Sequence, residues 1–509
     1  MLARLWSAAL AGIDALPLEV EVDVSHGIPT FQIVGLADTA VKESRERVRA
    51  ALRNVGRDLP PRSIVVNLAP ADLRKEGSGL DLPVAVGLLA ALGDLPVEAL
   101  RGRLFAGEVA LDGTLRTIPG ALSMAVLAAS EHFAELVVPS GNADEAAAAP
   151  GSTVIGARTL DEIVAHLAGR CRIEPRSPAP LSPAPGESDD LDEVRGQARA
   201  KRALEIAAAG GHNVLFVGPP GSGKTMLARR LPSILPPLTP DEIIETTRIH
   251  SVSGLTVSGS PLVSTRPFRA PHHSISGAGL VGGGARIRAG EVSLAHNGVL
   301  FLDELPEFRR DTLELLRQPL EEGRVTIVRA SGRITFPARF CLVAALNPCP
   351  CGFLGHPTRA CRCTPREVTR YASRISGPLL DRFDLRLEVP SLGFETLSAD
   401  VEEEPSRCVR ERVVAARRVQ EGRFALSGAR TNSDLSGRAL REWAAPDRAG
   451  RGLLETATTR FGLSARGFTR LLRVARTIAD LAGEIRIGAP HVAEAIQYRA
   501  LERIEAPAR

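Results

Sequence analysis

The strongest chemical signal in the chain lies between Asn213 and Leu231, NVLFVGPPGSGKTMLARRL. Four apolar residues, Val214 to Val217, predict a short strand. Gly218, Pro219, Pro220, Gly221, Ser222, Gly223, Lys224 and Thr225 follow, and Met226 leads into a helix. The spacing G-x-x-x-x-G-K-[ST] between a strand and a helix describes a phosphate-binding loop. Its glycines let backbone N–H groups curl round an anion, and the helix N-terminus adds positive potential. Lys224 is a compact point charge suited to the β and γ phosphates, a role a planar guanidinium fills less well. Thr225 offers a hydroxyl to Mg²⁺. The cofactors expected from this segment are ATP and Mg²⁺.

Such a loop needs a second strand that carries acid. GVLFLDELPEF, residues 298–308, supplies it. Val299 to Leu302 predict a fully buried strand with Asp303 and Glu304 at its end. Asp303 is placed to hold Mg²⁺ through water, and Glu304 to orient and deprotonate an attacking water. A third apolar run, FCLVAALNP, ends in Asn347, whose amide can position that water beside Glu304. ISGPLLDRFDLRLEV places Arg382 between Asp381 and Asp384 just before another strand, and GLSARGFTRLLRVARTI places Arg466 near the start of a helix. For both arginines, a local salt bridge or a helix surface is the alternative reading.

Cys349, Cys351, Cys361 and Cys363 form two C-x-C pairs. Four thiolates can close a tetrahedral Zn²⁺ site. C-x-C is tighter than the usual C-x₂-C knuckle, so a metal-free thiol cluster and a redox pair stay open, and His356 is a substitute ligand. GRVTIVRASGRITFPARF predicts a hairpin turning at Ser331-Gly332. Its tip would present Arg329 and Arg333 to DNA phosphates; an ordinary solvent-exposed hairpin fits equally. Arg269, His272 and His273 in FRAPHH are read as contacts to DNA, to a neighbouring subunit or to a capped element.

These residues must be positioned by several units, because 509 residues exceed one core. Residues 1–172 alternate β-type runs (LEVEVDVS, SIVVNLA) with helical ones (DTAVKESRERVRAALRNVG, LDLPVAVGLLAALG). Residues 173–190 are rich in Pro, Ser and acid and predict a linker. Residues 191–395 alternate strands and helices, and 396–509 predict a helical lid. Seven cysteines argue against a disulfide scaffold. With no apolar run of about 18 residues and no secretory signal, the expectation is a cytoplasmic protein without a membrane span. Residues 405–509 carry twenty Arg against eleven acids within a chain of net charge +4, which favours a polyanion partner or a solvated helical surface. Only four lysines occur, Lys42, Lys75, Lys201 and Lys224, among 63 basic residues. In so arginine-biased a chain, a surviving Lys marks a place that Arg cannot fill.

The ordered series of loop, acidic strand, Asn347, Arg382 and Arg466 resembles AAA+ ATPases. The long insert before the acidic strand and the following LRQPLEEGRVTIVRASGRITFPARF resemble the magnesium-chelatase-like branch. FRAPHHS, LVGGG, NPCPCG, CRCTP and RISGPLLDRFD together resemble the ComM/YifB family over essentially the whole chain. The resemblance implies an α/β multidomain fold: an S5-type Lon-like α/β domain, an AAA+ P-loop NTPase core with hairpin inserts, and a C-terminal helical lid. It implies Arg382 as an arginine finger reaching a neighbour's γ-phosphate, and Arg466 as a sensor that brings the lid onto the nucleotide. It also implies a homo-hexamer that acts on single-stranded and branched DNA as a branch-migration helicase in recombination and natural transformation, with recombination proteins as partners. A protein-remodelling ATPase and a chelatase-type metal-insertion motor are the alternatives. Peptidase activity is not expected: RKEGSGLDLPVAVGLL aligns with the Lon serine loop, yet no Lys occurs between Lys75 and Lys201 to act as general base.

Overall fold

A computed structural model describes residues 1–36, 38–178, 189–256, 261–284, 287–329, 332–356, 358–398, 401–425 and 429–499. Most of the predicted linker, residues 179–188, and the hairpin residue Ser331 lie outside these.

The N-terminal part is a seven-stranded mixed sheet. In sheet order its strands are Thr30–Val34, Ser63–Ala69, Asp14–Ser25, Leu2–Ala11, Arg103–Phe105, Glu135–Pro139 and Val154–Ala157. Leu2–Ala11 and Asp14–Ser25 form a long antiparallel hairpin, with Leu2 opposite Asp23 and Ala11 opposite Asp14. Helix Asp81–Leu92 is apolar all round and is buried from Asp81 to Ala91, as a core helix must be. Helix Thr39–Asn54 is amphipathic and buries Val41, Ser44, Val48, Ala51 and Leu52. Asp81 is fully buried, and Arg47 meets it with two bonds, Nε at 2.7 Å and Nη2 at 2.8 Å.

The second sheet has five parallel strands in the order Phe268–Arg269, Val299–Leu302, Cys341–Leu346, Val214–Val217 and Leu385–Glu388. The two strands Val214–Val217 and Val299–Leu302 are buried throughout, the pattern of a parallel sheet covered on both faces. All strands point the same way, so every C-terminal end opens on one edge and every N-terminal end on the other. That edge assignment decides which functional residues can meet.

Five helices, Ser406–Phe424, Gly437–Trp443, Arg448–Phe461, Ala465–Leu481 and Ala489–Gln497, form the C-terminal part. Ser406–Phe424 and Ala465–Leu481 pack on Ala198–Gly210, and Val413, Ala416, Leu471 and Ala475 share one buried cluster with Val214 and Phe216.

The two sheets also meet. Ile13, at the tip of the N-terminal hairpin, is buried in the cluster that holds Val325, Ile327 and Phe336 of the second hairpin, Arg324–Arg329 with Gly332–Pro337. Arg248 Nη2 reaches Ile13 O at 2.9 Å and Asp14 Oδ1 at 2.5 Å. Nearby, buried Glu145 accepts from Leu122 N–H at 3.1 Å, from the Thr256 hydroxyl at 3.2 Å and from the Ser251 hydroxyl. Burial pushes the Glu145 carboxyl above its usual range, against these three donors.

Candidate nucleotide site

The phosphate-binding loop follows Val217 at the C-terminal edge of the five-stranded sheet. Gly218 is required by close approach: a Cβ there would stand 2.2 Å from Val389 O. Helix Lys224–Ile234 begins at Gly223 with no side-chain cap, so its first N–H groups remain available to an anion. Ser222 Oγ is buried without a hydrogen-bond partner among the described residues. Lys224 Nζ bonds Gly218 O at 2.7 Å, Pro219 O at 2.8 Å and Asn347 Oδ1 at 3.2 Å. Burial lowers the Lys224 pKa, while the charges of Asp303 and Glu304 hold it up. An uncapped helix end, an orphan hydroxyl and an ammonium satisfied only by neutral oxygens together fit a phosphate ligand.

The acidic strand ends beside this loop. Thr225 Oγ1 donates to Asp303 Oδ2 at 2.7 Å, so the hydroxyl and the carboxylate expected to hold Mg²⁺ already share one place. Glu304 is exposed and left-handed, with φ +52° and ψ +47°. A non-glycine residue in that region is held by its surroundings. His273 Nδ1 lies 3.7 Å from Glu304 Oε2, and His272 stacks on His273 with ring centroids 4.0 Å apart. Buried Tyr371 borders the same group; burial first, then the charges of Glu307 and Glu304, push its phenol up to about 12.

The sequence did not single out His273 for this position. Its neighbour Arg269 turns inward and pairs with Glu291 through Nε at 2.6 Å and Nη2 at 2.8 Å.

Arg382 and Arg466 stand elsewhere. Arg382 lies just before strand Leu385–Glu388, which runs parallel to Val214–Val217 with Val214 opposite Leu385. It is therefore at the N-terminal edge, while Lys224 follows the C-terminal edge. Arg382 is 9% exposed and pairs with Glu321; neither Asp381 nor Asp384 is its ion-pair partner. Burial depresses its pKa, and the nearby charges of Arg466 and Arg317 add to that. Arg466 is exposed, and its charge is felt by Arg382. Helix Ala465–Leu481, which is expected to bring Arg466 onto the nucleotide, docks on Ala198–Gly210. Arg470, one turn on, is buried between Asp384 at 3.5 Å and Asp381 at 3.9 Å. Arg382, Asp384 and Arg470 border a cavity of about 750 Å³ that Arg266, Arg417, Arg430 and Arg473 also line.

The four clustered cysteines converge. Their sulfurs all lie within 4.8 Å of one another, with Cys349–Cys351 at 3.4 Å and Cys361 at 3.6 Å from each. The cluster can hold a metal ion. His356 is not among its ligands; its Nδ1 accepts from Thr358 N at 3.2 Å and Arg359 N at 3.1 Å. Arg329 and Arg333 are both exposed at the free end of the second hairpin.

Three family models match in succession: subunit ChlI of Mg-chelatase over residues 20–142, magnesium chelatase subunit ChlI over 190–397, and its C-terminal model over 403–499. The chain is 45% identical over 506 residues to YifB of Salmonella typhimurium, covering 99% of this chain and 98% of that one. It is also 45% identical over 509 residues to competence protein ComM of Haemophilus influenzae, with the same coverage. The chain belongs to the ComM/YifB family. A more distant relative, the magnesium-chelatase 67 kDa subunit of Heliobacterium mobile, is 27% identical over 227 residues, 39% of this chain and 32% of that one. This ComM/YifB-family chain is accordingly a ComM-like AAA+ protein of mixed α/β build. Among the described residues no helix is long and apolar enough to cross a membrane.

Proposed function

We propose that this ComM/YifB-family chain is the subunit of a homo-hexameric, ATP-driven DNA motor that migrates branched junctions during recombination and natural transformation. The observation that carries the reading is the opposition of Lys224 and Arg382 across one parallel sheet. An arginine finger at the N-terminal edge can serve only a neighbour's nucleotide, and a closed ring supplies that neighbour at every position. Arg466, beside Arg382, then joins the same neighbour's site.

Within one site the residues divide the work. Lys224 and the first N–H groups of its helix bind the phosphates. Thr225 and Asp303 hold Mg²⁺, which when bound neutralises developing charge. Glu304 takes a proton from the attacking water, and Asn347 orients that water. The N-terminal part (1–172, read as a non-proteolytic Lon-like domain) and the lid (396–509) frame the ATPase core (191–395). Zn²⁺ at Cys349, Cys351, Cys361 and Cys363 completes the cofactor set. The DNA assignment is supported by Arg329 and Arg333, exposed at the free end of the second hairpin, and by the name of the competence relative. The motor works in the cytoplasm, on single-stranded and branched DNA, alongside recombination proteins.

The test is ATP turnover by the purified protein alone, with single-stranded DNA and with a four-way junction, beside Glu304→Gln. Stimulation by DNA that the variant abolishes supports the motor. Turnover indifferent to DNA rejects it and points to a protein or porphyrin substrate.

A further inference from the structure

The four-cysteine cluster sits against the nucleotide loop, and the contact is specific. Gly352 lies between Cys351 and Phe353 with φ +81°, and a Cβ there would stand 2.5 Å from Pro220 Cδ and 2.7 Å from Pro220 Cγ. The loop therefore rests its bare backbone on the tip of the phosphate-binding segment. At its other end, Cys349 follows two residues after Asn347, whose amide oxygen is 3.2 Å from Lys224 Nζ. Beyond Cys363, Thr364 caps helix Pro365–Ala372 with a full capping box, and that helix carries buried Tyr371, whose phenol meets the Asn347 backbone and feels the Glu304 charge. Three pieces of the ATP site thus converge on one knot of sulfur.

That knot has little else to hold it. Between Cys351 and Cys363 only Gly352 is buried among the described residues. A segment without a core needs a cross-link or a metal to keep one shape. The sulfurs are spaced for a metal: metal–sulfur bonds of about 2.3 Å in a tetrahedron require sulfur–sulfur edges of about 3.8 Å; the edges among Cys349, Cys351 and Cys361 are 3.4 and 3.6 Å, and Cys363 lies within 4.8 Å of each. The amides of Cys351, Leu354 and Cys363 donate to sulfurs at 3.4, 3.3 and 3.4 Å, as the loop amides round a metal-bound sulfur do.

We propose that this Zn(Cys)₄ centre is a brace on the phosphate-binding loop, so that ATP affinity depends on the metal being in place. The inference rests on the ATPase reading and on zinc occupancy. Zn²⁺ binding displaces the thiol protons and fixes the Cys349–Cys363 segment. The fixed segment holds Pro220 through Gly352 and Asn347 through the chain that leads to Cys349. Without metal the loop samples other positions, and the apparent affinity falls by the fraction of time it is out of place.

Two measurements on the full-length protein test this. Elemental analysis should find zinc in equimolar amount to chain, and a thiol-reactive mercurial should release it. Fluorescent-nucleotide titration should then show ATP bound on the order of tenfold more weakly, as for a loop in place a tenth of the time, with recovery when Zn²⁺ is restored. Gly352→Val keeps all four sulfurs and should retain zinc while weakening ATP binding similarly. Absence of zinc, iron in its place, or unchanged ATP affinity in both the metal-free protein and Gly352→Val would overturn the brace. A protein that holds zinc and binds no nucleotide in any form would instead overturn the ATPase reading.

Discussion

Glu304 Oε2 lies 3.7 Å from His273 Nδ1, and Glu304 keeps a left-handed backbone at φ +52°. A non-glycine residue in that conformation costs of order 1–3 kcal/mol, so the carboxylate is aimed by its setting and not by its own preference. Glu304→Gln preserves shape and removes the proton acceptor. Steady-state phosphate release should fall by roughly 10²–10⁴, while fluorescent-ATP binding persists. Turnover near the parent level would strip Glu304 of the base role.

Arg382 and Lys224 occupy opposite edges of one sheet, which makes a mixing experiment decisive. Arg382→Ala should lower turnover by roughly 10³–10⁵, and Lys224→Ala should abolish it. In mixed rings, the intact loop of an Arg382→Ala subunit can meet the intact Arg382 of a Lys224→Ala subunit. Activity should therefore reappear on mixing two inactive proteins. If mixtures stay inactive at every ratio, the finger does not act between subunits. Arg466→Ala should be complemented in the same way.

The nucleotide loop was legible because its chemistry is local: strand, glycines, Lys224 and Thr225 are consecutive, and spacing alone defines them. Asp303, Glu304 and Asn347 were legible because each ends an apolar run, and parallel strands deliver their ends to one edge. The setting of Arg466 was not legible. It depends on how helix Ala465–Leu481 docks on Ala198–Gly210, a long-range fit that no local pattern encodes. His273 was missed for a related reason. Phe268–Arg269 pairs with Val299–Leu300, and only that strand order brings the histidine over Glu304. The cysteines were legible as a cluster, but their contact with Pro220 required the fold.

Glu145 gives the junction between the N-terminal part and the ATPase core a pH dependence. Burial raises its pKa above the ordinary carboxylate value, so the folded state favours the protonated carboxyl. The stabilisation linked to that proton is fully present below the unfolded pKa of about 4.3 and is lost as pH rises through the raised folded value. Glu145→Gln keeps an acceptor for Leu122 N–H and Ser251 and offers an amide to Thr256, with no charge to bury. Urea unfolding from pH 4 to pH 8 should show the variant gaining on the parent as pH rises. Parallel curves across that range would mean that Glu145 carries no such cost.

The second hairpin separates anchoring from contact. Its base is held by Val325, Ile327 and Phe336, buried together with Ile13 from the N-terminal hairpin; its free end exposes Val328, Arg329 and Arg333. Truncating Ile13 to Ala removes buried apolar volume at a junction and should cost about 2–5 kcal/mol of stability. Arg329→Ala and Arg333→Ala touch no core and should leave stability within about 0.5 kcal/mol. If both arginines lie on phosphates, each removal should reduce the slope of log affinity against log salt by about 1, uniformly across DNA sequences. Fluorescence anisotropy of labelled single strands at several salt concentrations reads that slope. A double variant whose slope and affinity match the parent would move the DNA contact away from this hairpin, since a charge that releases no counterion is not on the phosphate path.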